Sequence, residues 1–257
     1  MTALRHGTAR GWLNRPVDAA GDLQYALALA DEADALTMHH YRTLHLAVET
    51  KADLTPVTEA DRAVEAALRS RIGRERGEAV AGEEYGVEEG DMRWWLDPID
   101  GTTQYARGLP IWATLIALER DGEVVVGVAS APALGQRWWA ERAGGAFLDG
   151  MAIRVSRVSR IDDAYVSTTS VRGFPQFAAL AARVAVARTY PDFWQYMLVA
   201  EGRIEAASDT LMNEWDVAAP RLIVEEAGGT FTIDEGLYLA SNGRLHAEIR
   251  ESLLSHP

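Results

Sequence analysis

Residues 94–103 read Trp94-Trp95-Leu96-Asp97-Pro98-Ile99-Asp100-Gly101-Thr102-Thr103. An apolar run that ends in aspartate is a strand presenting a carboxylate at its carboxyl end, where open α/β sheets place their ligands. Pro98 removes a backbone donor and stiffens the turn. Asp100 returns three residues on, so both carboxylates can converge on one point with a main-chain carbonyl between them. Gly101 permits close backbone approach, and Thr102-Thr103 open a helix whose first N–H groups face outward to an anion. Carboxylates opposite amide donors describe a metal-bridged phosphate site. The competing reading is a surface turn, since Asp and Gly are ordinary turn formers.

Three more acidic positions extend the pattern. Glu83 follows the apolar Ala79-Val80-Ala81-Gly82 and again sits at a strand end. In Thr58-Glu59-Ala60-Asp61, Thr58 is an N-cap and Asp61 stands where a capping box or a site residue would stand. Asn213-Glu214-Trp215-Asp216 places an aspartate in the first turn of another helix, where dipole compensation alone would explain it. Pro220 either kinks that helix or marks a later start.

The composition fits a metal site. The chain has 257 residues, 25 Lys+Arg against 38 Asp+Glu, a net charge of −13, and no cysteine. Excess carboxylate suits a hard cation, whereas nucleic acid and anionic membranes select basic surface. Without cysteine there is no disulfide, thiol nucleophile or thiolate metal site. No uncharged apolar run approaches the ~18 residues of a membrane span, and Met1 to Pro16 lack a signal-peptide core, so a cytoplasmic protein is expected. The six histidines form no zinc-like pattern, and surface positions are expected for them.

Working outward, residues 1–20 read as a loose tail, 21–150 as an N-terminal α+β half with most of the acidic motifs, and 151–257 as a C-terminal α/β half. Helical spacing predicts helices over 22–49, with Asp22 as N-cap, and over 59–72, ending before Gly73. Strands are expected at 93–96, 112–119, 123–130, 136–140, 164–170, 204–207, 230–233 and 238–241. Asp121-Gly122 is a hairpin turn between two of them. Further helices are expected at 176–187, 192–201, 214–227 and 243–254. The class is α/β in content with mixed or antiparallel sheets.

Taken together, Gly82-Glu83-Glu84, the 94–105 run, and Trp215-Asp216-Val217 through Gly228-Gly229 closely resemble the inositol monophosphatase family of Mg-dependent phosphomonoesterases. The resemblance covers about residues 25–250 and includes Ala240-Ser241-Asn242-Gly243. It implies a layered α/β/α/β/α sandwich with the site between two halves, and usually a homodimer, to which the paired Trp138-Trp139 are expected to add apolar interface unless the core uses them. It also implies that Glu83, Asp97 and the Ile99 carbonyl hold one Mg²⁺, that Asp97, Asp100 and Asp216 hold a second, and that a third, weaker ion lies near Glu83. Asp61 and Thr102 would orient and deprotonate an attacking water, and the N–H groups of Gly101 and Thr102 would bind phosphate. Inhibition by Li⁺ is a further implication. The haloacid-dehalogenase phosphatases also carry Asp-Gly-Thr, but one residue separates their aspartates and the first is a covalent nucleophile. Here Pro98 and Ile99 intervene, which favours direct attack by water.

Within the family, the 107–112 segment, Ser130 to Leu134, Arg137-Trp138-Trp139 and Gly145-Ala146-Phe147 are similar to bacterial histidinol-phosphate phosphatases. That implies a substrate with a cationic end, for which Asp209 and Glu214 are candidates beside Asp100 and Asp216. Gln104 departs from the family's usual Asn, and Asp209 from its usual Glu. The alternatives are an inositol or sugar-phosphate phosphatase and a regulatory member of the family.

Overall fold

The computed structural model describes residues 19–42, 48–50, 56–172, 174–210 and 212–255. The first half runs α1 (Ala19–His40), β1 (Val48–Thr50), β2 (Pro56–Thr58), α2 (Glu59–Glu75), β3 (Ala79–Gly82), β4 (Gly86–Val87), β5 (Met92–Asp100), α3 (Thr102–Ala106), β6 (Ala113–Arg120), β7 (Glu123–Ala131), β8 (Gln136–Glu141), β9 (Gly145–Leu148) and β10 (Met151–Ala152). The second runs β11 (Tyr165–Thr168), α4 (Pro175–Ala181), β12 (Val186–Arg188), α5 (Asp192–Ala200), β13 (Ala206–Asp209), α6 (Glu214–Glu226), β14 (Thr230–Asp234), β15 (Leu237–Ser241) and α7 (His246–Leu254).

An eight-stranded sheet has the order β10-β9-β8-β7-β6-β5-β3-β4, and a five-stranded sheet the order β12-β11-β13-β15-β14. Both are mixed. β3 pairs parallel to β5, and β11 parallel to β12 and β13, while the remaining pairs are antiparallel. Side-chain alternation assigns the faces. Along β6, Ala113, Leu115 and Ala117 join the core shared with α5 and α6, while Ile116 and Leu118 face α1 and α2. The second sheet carries α4 and α7 on its outer face through Leu180, Leu239, Ile249 and Leu253. The layers are therefore α1/α2, sheet, α5/α6, sheet, α4/α7, the expected five-layer sandwich.

The local signals work where they are short-range. Thr58 caps α2 and Asp61 answers it, accepting the Thr58 backbone N–H at 2.8 Å. Asp121 and Gly122, both at positive φ, join β6 to β7 as a hairpin.

Several expectations are corrected. The first helix ends at His40, and Val48–Thr50 is a strand. Asp22 is not its cap but lies inside the helix, where it binds Arg76 at 2.5 Å and Arg120 at 2.6 Å. α2 runs through Gly73 to Glu75, and the reversal falls at Gly77, φ +63°. The apolar stretch expected as helix 176–187 stops at Ala181, because Val186–Arg188 pairs with β11. Pro220 neither delays nor divides α6, which runs from Glu214 past it to Glu226. The N–H it lacks is the one that would meet the Asp216 carbonyl. Trp138 is fully buried, edge-on to Phe193, and so is core, not free apolar surface, while Trp139 is half-buried and stacks on Phe147. His246 is half-buried, with its ring between the Thr232 and Ser241 hydroxyls. His6, His45, His256 and the 1–18 tail lie outside the described residues. Among the described residues no helix is long and apolar enough to cross a membrane.

Candidate active site

The decisive irregularity lies in β5. Asp97 pairs with Leu115 and Asp100 with Ala113, so three steps along β5 match two along β6. That single extra residue is a β-bulge. In a regular strand, residues three apart point to opposite faces, and the bulge returns Asp100 to the face of Asp97. Pro98, having no N–H, suits the unpaired position, and its carbonyl accepts the Thr114 hydroxyl at 2.8 Å. The Ile99 N–H donates to Asp97 Oδ1 at 3.0 Å and tightens the loop.

Asp216 joins them from α6. Carboxylate oxygens of Asp97, Asp100 and Asp216 lie within 4.8 Å of one another. Burial, then the charge of Glu83, pushes the Asp97 carboxyl well above its usual range; burial, then Asp192 and Asp216, does the same for Asp100. Burial carries Asp216 up to about 7 despite the Asn213 bonds that pull it back. Desolvated like charges at this spacing are unfavourable alone and are the donor set of a hard divalent cation. The residues fit Mg²⁺.

Glu83 lines the same cavity from the turn after β3. Its aim is set by Glu65, wholly buried in α2, which accepts the N–H groups of Glu84 at 2.7 Å and Tyr85 at 3.1 Å. Arg69 pairs with Glu65 at 2.7 Å and also bonds the Val80 and Gly86 carbonyls. A Cβ on Gly82 would collide with the Glu65 carboxylate.

Asp61 and Asp216 share one device. In each, Oδ2 accepts the backbone N–H of a helix N-cap, at 2.8 Å from Thr58 and 2.7 Å from Asn213. Capping and site placement are thus the same act. The Thr102 hydroxyl is 3.4 Å from Asp61 Oδ1 and 3.0 Å from the Ile99 carbonyl. Burial raises the Asp61 carboxyl to about 6, against the Thr58 bonds that lower it. Gly101 holds the turn into α3 at φ +88°, where a Cβ would come 3.0 Å from the Ile111 carbonyl.

These groups surround a cavity of about 480 Å³ between the two halves, lined by Glu83, Asp97, Asp100, Thr102 and Asp216 among others. The two carboxylates expected to read a cationic substrate end are otherwise engaged. Asp209 lines the cavity but accepts four bonds, from Thr169 N and Oγ1, Gln195 and the Tyr196 hydroxyl. Glu214 is outside the lining and pairs with Arg221 at 3.2 Å.

Among the lining residues that escaped the sequence reading, two are charged: Arg172, exposed at the rim, and Asp192. Asp192 opens α5 in the left-handed region, φ +49°, and burial followed by the Asp209 charge raises its carboxyl to about 6. No local motif marks it; only the bond from the Phe193 N–H to Asp100 Oδ2, 2.6 Å, brings it there.

Comparison with known proteins agrees with this geometry. Residues 20–254 match the model of the inositol monophosphatase family. A Streptomyces coelicolor protein named histidinol-phosphatase is 46% identical over 90% of this chain and 96% of its own. One of the same name from Mycobacterium tuberculosis is 45% identical over 89% and 96%. Among solved structures, a Thermotoga maritima IMPase superposes with a TM-score of 0.85 at 31% identity, covering 91% of this chain and 96% of that one.

Proposed function

Because this chain belongs to the inositol monophosphatase family, we propose that its cavity hydrolyses phosphate monoesters with Mg²⁺, and that L-histidinol phosphate is the substrate. The observation that carries the phosphatase reading is the meeting of Asp97, Asp100 and Asp216 beside the Gly101-Thr102 turn. Similarity to two proteins named histidinol-phosphatase supports the substrate.

In this reading Asp97, Asp100 and Asp216 hold one ion, and Glu83, Asp97 and the Ile99 carbonyl a second, with Glu83 also near a weaker third. When bound, Mg²⁺ supplies the positive charge that offsets the carboxylates and stabilises negative charge developing on the phosphoryl group. The chain's own residues do the rest. The backbone N–H groups of Gly101 and Thr102 cradle phosphate oxygens at the mouth of the turn. Thr102 Oγ1 takes a proton from the attacking water as its own proton passes to Asp61 Oδ1. A carboxyl lifted to about 6 is matched to that transfer near neutral pH. Asp97 and Asp100, brought to one face by the bulge, would hold the metal beside the Gly101-Thr102 turn.

Inhibition by millimolar Li⁺ and a homodimer in solution, both on the family resemblance, complete the proposal, together with the action in the cytoplasm expected above. The test is phosphate release with Mg²⁺, comparing kcat/KM for L-histidinol phosphate, inositol 1-phosphate and several sugar phosphates. A preference of 10²-fold, about 2.7 kcal/mol of transition-state discrimination, is expected for histidinol phosphate. A flat profile would sink the substrate assignment, and no hydrolysis of any ester would sink the enzyme.

A further inference from the structure

The cavity's carboxylates sort themselves by what they already bind. Asp97, Asp100 and Asp216 converge on one point, Glu83 faces Asp97, and Asp209 accepts four protein donors. Asp192 is left. Its Oδ2 is buried without a hydrogen-bond donor, while the residue as a whole is half-buried and lines the cavity.

Its placement is deliberate in the energetic sense. Asp192 sits at φ +49°, a left-handed conformation that Asp and Asn adopt more readily than other side chains and that surrounding contacts still have to select. Here the next residue imposes it, since the Phe193 N–H is anchored on Asp100 Oδ2. The carboxylate is thereby laid over the Gly101 turn, where a Cβ on Gly101 would stand 3.3 Å from Asp192 Oδ2. Gln104, on α3, contributes a second acceptor to the same cavity wall, and its Oε1 is also buried with no donor. Two donor-poor acceptors next to the phosphate cradle define a place for a group rich in N–H. An ammonium brings three donors and a positive charge; a polyol hydroxyl brings one donor and none.

We propose that Asp192, with Gln104 beside it, binds the substrate's ammonium group, so that the cavity selects phosphate esters of amino alcohols with the amine on the carbon adjacent to the ester carbon. The inference rests on the phosphomonoesterase reading above. L-Histidinol phosphate has that arrangement, and so does phosphoethanolamine, which lacks the imidazole. A neutral ester leaves both acceptors unpaired, and a site built for polar partners rejects analogues that lack them.

The test uses the full chain with Mg²⁺ and three substrates: histidinol phosphate, phosphoethanolamine and the neutral glycerol 1-phosphate. Asn occupies the left-handed region readily, so Asp192→Asn keeps the backbone while removing the charge. The ratio of kcat/KM for each amino ester to that for glycerol 1-phosphate is expected to fall tenfold or more in Asp192→Asn. A ratio within threefold of wild type overturns the proposal. So does a tenfold rise in half-saturating Mg²⁺ with the ratio unchanged, which would make Asp192 a metal ligand. If wild type cleaves phosphoethanolamine but not histidinol phosphate, the substrate assignment falls while the Asp192 ratio is still read on phosphoethanolamine.

Discussion

Glu65 accepts the backbone N–H of Glu84 at 2.7 Å from a position wholly shielded from water. A buried carboxylate in α2 thus holds the turn from which Glu83 reaches the cavity. Glu65→Ala leaves the Glu84 and Tyr85 N–H groups without their acceptor and Arg69 without its buried partner. The expected loss is about 2–4 kcal/mol, read by urea unfolding. Half-saturating Mg²⁺ should rise several-fold in the same variant, since the Glu83 turn is no longer pinned. A variant that loses stability while keeping its Mg²⁺ requirement would refute the link between that turn and the metal.

Thr102→Ala removes the hydroxyl between Asp61 and the Ile99 carbonyl. A fall of roughly 10²–10³ in kcat with KM changed by less than about threefold is expected, because the group acts on the proton in flight. Thr102→Ser should retain most of the activity. Initial-rate kinetics with saturating Mg²⁺ decide it, and a kcat loss under tenfold would remove Thr102 from the proton path.

The metal-free protein should lose stability as pH rises. Asp61 and Asp209 at about 6 and Asp216 at about 7 lie above the unfolded value of 3.8, all through burial first. Between these limits the folded state binds more protons than the unfolded one, so stability is full below about pH 4 as far as these groups contribute. It is lost as pH climbs through 6 to 7. In EDTA the Tm is expected to drop between pH 5 and 7.5, and Mg²⁺ should restore it at the higher pH. A Tm that rises over that interval in EDTA would contradict the assignment.

Asp209→Ala should be a stability variant more than a binding one. It strips the acceptor from Thr169, Gln195 and the Tyr196 hydroxyl at once, costing about 2–4 kcal/mol, whereas Tyr196→Phe removes a single donor and costs about 1. Differential scanning calorimetry separates the two. If Asp209→Asn raises KM for histidinol phosphate with no change in Tm, the carboxylate touches substrate directly.

What the amino-acid order discloses is what depends on neighbours in the chain. The capping box at Thr58 and Asp61, the Asp121-Gly122 hairpin and the strand into Asp97 are all set within a few residues. α4 is harder, because Phe177 to Ala187 is apolar except for Arg183 and carries no Gly or Pro stop signal. Its end is imposed by the parallel pairing of Val186–Arg188 with β11. Asp22 reads as a cap until Arg76 and Arg120 arrive from distant elements. Glu65 and Asp192 belong to this second kind. Each resembles ordinary helix surface in sequence, and each acquires its role from a contact with another layer.

The bulge in β5 makes the centre a matter of counting. Asp97 and Asp100 share a face because the strand holds one residue more than its partner over that interval. Deleting Pro98 or Ile99 would leave every carboxylate encoded yet turn Asp100 through half a pleat, away from Asp216. No second-site change of side chain can undo a shift of phase. Variation in this stretch is therefore confined to exchanges of one residue for another, while gain or loss of a single codon abolishes the centre outright.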